Sequence, residues 1–172
     1  MTERQDPISL EFLEQSVVRM QDCSERIAKC LKMLDDEAFW YRPNEASNGI
    51  GQLLAHLSGN IRQYIHSGIG GAPDTRERQQ EFQDPPQRDR TAVATEFFEV
   101  VDKAAQHIKG VSQIELLRSR TVQGFELTGL GIILHVVEHL SYHTGQIAYI
   151  TKLLTDRDLG FYKGIDLNVK NS

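Results

Sequence analysis

The stretch Gly131–Leu153, GIILHVVEHLSYHTGQIAYITKL, constrains the fold more than any other part of the chain. It is long, mostly apolar and free of proline, which is the pattern of a buried helix. Going round such a helix at about 100° per residue, Ile133, Val136, Val137, Leu140, Ile147 and Ala148 cover a broad arc. A helix apolar over so wide an arc packs against several neighbours at once. The same stretch carries His135, His139 and His143, each four residues from the next. Residues four apart stand one above the other on a helix. These imidazoles therefore face protein, or a pocket, rather than bulk water.

Three further helical signals precede it. Over Ser9–Leu34, the residues Leu10, Leu13, Val17, Met20, Ile27, Leu31 and Leu34 repeat at spacings of three, four and seven. Pro43, Asn44, Asn48 and Gly49 then mark a connection. A second helix is expected from Ser47 or Asn48, either of which can cap its first turn. Ile50, Leu53, Leu57, Ile61 and Tyr64 form its apolar face, and Gly68, Gly70, Gly71 and Pro73 end it. The third helix fits Thr91–Lys109, with Gly110 as its stop. Thr128 is the expected cap of the histidine helix.

Between these helices lie less regular segments. Residues 69–89 read as a long loop with a helical turn at Arg76–Phe82, and Pro85 and Pro86 bar any continuing helix. Loops of that length in compact domains are often functional. Val111–Gly129 alternates weakly and reads as a helical turn followed by extended chain. Residues 156–172 form a tail with room for one more turn. Four long helices with few strand signals predict an all-α chain, a four-helix bundle. It is one domain over residues 1–172, with its core at about 8–155.

Composition narrows the partners. A net charge of -5 offers no general attraction to phosphate backbones or anionic lipid, so nucleic acid is not an expected partner. The segment MTERQDPISLEF lacks an apolar signal, and no apolar run approaches the roughly 18 residues of a membrane span. The expectation is a cytoplasmic protein acting on a small molecule. Cys23 and Cys30, seven apart on one helix, have Cα atoms about 10.5 Å apart, too far for a disulfide. They read as reduced core residues.

Two imidazoles one helical turn apart can bind a single metal ion. A core histidine can equally hydrogen-bond a carbonyl or carboxylate and bind nothing, and the spacing leaves both readings open. If His139 and His143 do hold a metal, His56 is the best third ligand. It sits at the edge of its apolar face, near the polar Gln52, Asn60 and Gln63. His66 and His107 lie near helix ends and are expected to be exposed. His135 reads as a supporting or plain core residue. Three neutral imidazoles leave a position open on the ion, which is the catalytic rather than the structural arrangement. Glu138 is the candidate base, or a partner for a histidine N–H.

Taken together, Trp40, Pro43, Ser47-Asn48-Gly49-Ile50, His56-Leu57-Ser58-Gly59-Asn60 and, far downstream, His139-Leu-Ser-Tyr-His143-Thr-Gly145-Gln146-Ile147 resemble the DinB/YfiT-like metal-binding four-helix proteins. The likeness spans about Leu10–Leu154. HLSGNIRQY, GIGG and RERQQEF resemble a branch of that family without an assigned function, and Arg76, Glu81 and Phe82 fit its pattern. Loop salt bridges plus one packed aromatic account for those three residues equally well. The resemblance implies a bundle of up-down-down-up type with a long crossover, frequent homodimers, and zinc or nickel on His56, His139 and His143. Some relatives are enzymes that use a low-molecular-weight thiol, so an S-transferase is the leading expectation. A non-catalytic metal- or ligand-binding stress protein and a metal-dependent hydrolase are the alternatives. Thr144 stands where many members have arginine, and APDTRE replaces a lysine-containing turn.

Overall fold

The computed structural model describes residues 6–83 and 88–171. Pro85 and Pro86, and the first five residues, lie outside the described residues. The chain is mainly helical: α1 spans Pro7–Leu31, α2 Asp36–Trp40, α3 Ile50–Ile61, α4 Arg90–Lys109, α5 Gln113–Leu117 and α6 Gly129–Thr155. A small antiparallel hairpin, β1 (Ser119–Val122) and β2 (Phe125–Thr128), precedes α6.

The helix ends follow local chemistry. Asp6 accepts hydrogen bonds from the Ile8 and Ser9 amides, and Pro7 occupies the first turn, where no amide donor is needed. Helix α1 stops at Leu31 rather than Leu34. Asp35 then caps α2 through the Ala38 amide at 2.8 Å. That short helix, within the stretch expected to be a plain connection, buries Phe39 completely. Full burial of such a ring contributes about 1.5–3 kcal/mol, enough to hold a single turn and a half.

Helix α3 also departs from expectation. Its cap is Gly49, not Ser47 or Asn48, and the Gly49 amide donates to the Gln52 side chain at 2.9 Å. Past Ile61 the helix widens into a π-turn over Arg62–Ser67, in which the Gly68 and Gly70 amides donate to the Gln63 and Ile65 carbonyls, five residues back. The caps of α4 and α6 are Asp89 and Thr128.

The four long helices enclose one core. Helices α1 and α3 each pack against both α4 and α6. Met20, Ile27, Leu54, Leu57, Phe97, Ile108, Leu140 and Ile147 fill the space between them. Cys23 and Cys30 are buried free thiols whose pKa values burial raises. Thr144 and Thr151 donate to the Leu140 and Ile147 carbonyls of their own helix, and their buried hydroxyls also meet the Cys23 and Cys30 thiols of α1. Among the described residues, no helix is long and apolar enough to cross a membrane.

Candidate metal centre

Helix α6 brings His139 and His143 to one face, and α3 brings His56 opposite them. His139 Nε2 lies 3.1 Å from His56 Nε2 and 3.1 Å from His143 Nε2. The three donor atoms lie within 4.8 Å of one another. His56 and His143 are buried at 7% and 9% exposure. Two nitrogens bound to one tetrahedral zinc at about 2.0–2.1 Å would stand roughly 3.3–3.4 Å apart. The closest pairs here are within a few tenths of that spacing.

The far nitrogens explain why the near ones converge. His143 Nδ1 lies 2.7 Å from Gln146 Oε1, an acceptor, so Nδ1 carries the proton. His56 Nδ1 lies 2.9 Å from Glu81 Oε2, again an acceptor. In its neutral form each ring therefore turns an unprotonated Nε2 toward His139. Without a cation, His139 could donate one proton to one of these two lone pairs and would leave the other unpaired. His139 Nδ1 is itself buried with no hydrogen-bond partner. A divalent ion resolves the meeting of Nε2 lone pairs by accepting all three, and the donor set fits one, although His139 Nδ1 stays without a partner.

The carboxylate in contact with the cluster comes from the loop. Residues 71–83 cross the outside of α3 and end in a 3₁₀ turn over Arg78–Phe82, matching the expected Arg76–Phe82 turn closely. Arg76 is 3% exposed at its side chain. It grips Glu81 through Nε to Oε1 at 2.7 Å and Nη2 to Oε2 at 2.9 Å. Its Nη1 donates to Gln63 Oε1 at 2.9 Å. Arg76 Nη2 also comes within 3.3 Å of His56 Nδ1 because both donors share Glu81 Oε2. Phe82 lies against the His56 ring, centroids 4.9 Å apart. Burial pushes the Glu81 carboxyl up, but the Arg76 and His56 hydrogen bonds outweigh it and hold its pKa below the usual value.

Burial and the neighbouring imidazoles push His139 down to about 3. Burial likewise lowers His143, against the opposing Gln146 hydrogen bond. At neutral pH both rings are uncharged, the state a metal ligand needs. His135 stacks between Tyr64 (4.3 Å) and His139 (5.6 Å), and its Nε2 is 3.5 Å from Asn60 Nδ2. It braces His139 instead of joining the three nitrogens. Glu138 is exposed, and its charge acts on His135.

Two histidines expected at the surface behave differently. His66 is buried at 6% exposure, with Nε2 3.1 Å from the Val100 carbonyl. His107 is partly buried, its ring 5.1 Å from that of His66. The π-turn carries His66 inward, and position near a helix end could not reveal that. Glu81 was visible beforehand only as part of a pattern, because its contact with His56 spans 25 residues of chain.

The fold and this cluster define a class: a mainly α-helical protein with three histidines from two helices placed to hold one metal ion. Residues 7–163 match the model of a family described as "Protein of unknown function (DUF1572)", and the chain belongs to that family. The matched region holds every helix and the hairpin. A comparison with curated proteins finds no match.

Proposed function

We propose that His56, His139 and His143 bind a divalent metal, zinc or nickel, and that the protein is a metal-dependent enzyme acting on a small molecule with a low-molecular-weight thiol as co-substrate. The observation that carries this reading is the meeting of three Nε2 atoms, two of which have their tautomers set from behind by Glu81 and Gln146. Three protein ligands leave a position open. A divalent ion there favours the thiolate of an incoming thiol, the nucleophilic form. The chain's own residues hold His139 and His143 neutral and all three imidazoles aimed, and Phe82 and the 71–83 segment above α3 cover His56.

The reading extends to kinship. We assign the chain to the DinB/YfiT-like superfamily, with its four long helices as an up-down-down-up bundle. Support comes from α1 and α3 sharing the same two neighbours, α4 and α6, and from the long crossover between α3 and α4. A cytoplasmic homodimer follows from the same likeness, and sedimentation at twice 19.5 kDa is the expected result.

Elemental analysis of wild type beside His139→Ala and His143→Ala is the primary test. About one metal per chain in wild type and almost none in the variants is expected. Equal, near-zero metal in all three overturns the reading. Turnover of an electrophile only with added thiol supports the transferase, and turnover without thiol replaces it by a hydrolase. Bound metal with neither activity leaves a metal-binding stress protein. Glu138→Gln should retain metal, and lost turnover would assign it the proton-handling role.

A further inference from the structure

The structure assigns Glu81 and its partner Arg76 as positioning residues of the metal centre, so that metal loading and docking of the 71–83 strap reinforce each other; this rests on the metal reading above. The strap buries little of its own. Most of residues 71–83 are exposed, and Arg76, Glu81 and Phe82 are the main exceptions. Segments with few buried apolar contacts open at low free-energy cost. Polar contacts hold this one: Asp74 accepts from Gln63 at 2.8 Å, Gln63 accepts from Arg76, Arg76 grips Glu81, and Glu81 accepts from His56 Nδ1, while Gln52 Nε2 separately donates to the Phe82 carbonyl at 3.3 Å. The Glu81 link falls on the outer nitrogen of a candidate ligand.

That link works in both directions. A metal on His56 Nε2 forces the proton onto Nδ1, which makes Nδ1 a committed donor to Glu81. A docked Glu81 in turn raises the basicity of Nε2 and fixes the ring's orientation. Thermodynamic linkage makes the two effects equal: whatever factor docking adds to metal affinity, metal adds to docking. The same strap, through Asp74, Arg76, Glu77 and Glu81, walls a cavity of about 800 Å³ against α3 and α4. Metal loading therefore strengthens the outer wall of that cavity.

Gly59 shows how tightly the strap is set. A Cβ there would lie 2.0 Å from Glu81 Oε1 and 3.0 Å from Arg76 Nε. Alanine favours a helix over glycine by about 1 kcal/mol, so Gly59→Ala strengthens α3 while displacing the carboxylate. It separates positioning from folding.

The test measures Zn²⁺ affinity by chelator competition, the visible spectrum of the Co²⁺-loaded protein, and amide exchange of residues 76–82 with and without Zn²⁺. Wild type is expected to show slower exchange there with Zn²⁺. Glu81→Gln and Gly59→Ala are expected to bind Zn²⁺ about 10- to 100-fold more weakly, to alter the Co²⁺ bands and to lose the metal-dependent protection. Wild-type affinity, spectrum and protection in both variants, with metal still lost in His143→Ala, overturns this inference and leaves the metal reading standing. No metal in wild type overturns both.

Discussion

Two pairs of packed imidazoles, one built on α3 upstream of the Arg62–Ser67 π-turn and one on the turn itself, differ in where the second nitrogen goes. His66 and His107 have ring centroids 5.1 Å apart, much like the 4.9 Å between His56 and His139. Yet His66 turns its Nε2 to the Val100 carbonyl, so its ring is consumed by the fold. In the triad the acceptors lie behind the rings, on Nδ1 of His56 and His143, and the Nε2 atoms face one another. Burial and ring spacing do not separate the two pairs; what differs is whether Nε2 meets a carbonyl, as in His66, or other Nε2 atoms, as in the triad.

The largest expected effect breaks that contrast outright. His139→Ala should abolish metal binding, whereas His66→Phe should leave metal stoichiometry unchanged by elemental analysis. Metal loss in both would erase the distinction. A smaller effect is expected at Gln146→Leu, which removes a neutral acceptor from His143. It should weaken Zn²⁺ binding in a competition titration, but by less than Glu81→Leu, because the hydrogen bond lost there is to a charged group and about twice as strong. The smallest mutational effect is on stability: His66→Phe should cost about 1 kcal/mol in urea denaturation, the loss of one buried hydrogen bond.

Acid sharpens the comparison further. Burial lowers the pKa of His66, with the Val100 hydrogen bond opposing. The unfolded chain takes up a proton near pH 6.5, while folded His66 resists it. Stability therefore falls as pH drops below about 6.5 until the folded ring protonates. His135, His139 and His143 shift the same way in the metal-free chain. Urea midpoints at pH 7.5 and 5.0 should show a deficit that narrows, without vanishing, in His66→Phe.

The sequence made some of this legible. The apolar repeats of α1, α4 and α6 marked those helices because each buries a continuous stripe. The fourfold spacing of His139 and His143 placed two nitrogens on one face before any coordinates. The hairpin was legible only as extended chain after a helical turn, because Val122 is its one buried residue and alternation had little to report. Helix α2 was hidden by its brevity. Glu81 was visible only within the Arg76, Glu81 and Phe82 pattern: its contact with His56 depends on a loop folding back over α3, an approach that Gly59 also records.

The π-turn has a consequence for how this chain tolerates insertions and deletions. Five-residue hydrogen bonding accommodates one residue more than an α-helix of the same rise would. Removing one residue between Arg62 and Ser67 would let the α-helix run straight on and would swing the downstream glycines about 100° around the axis. His66 would leave its seat on Val100, while His56, upstream of the cut, would keep its place. Length variation at this turn can thus remodel the His66 end directly and reach the triad only through Gln63 and Tyr64, which touch Arg76 and His135.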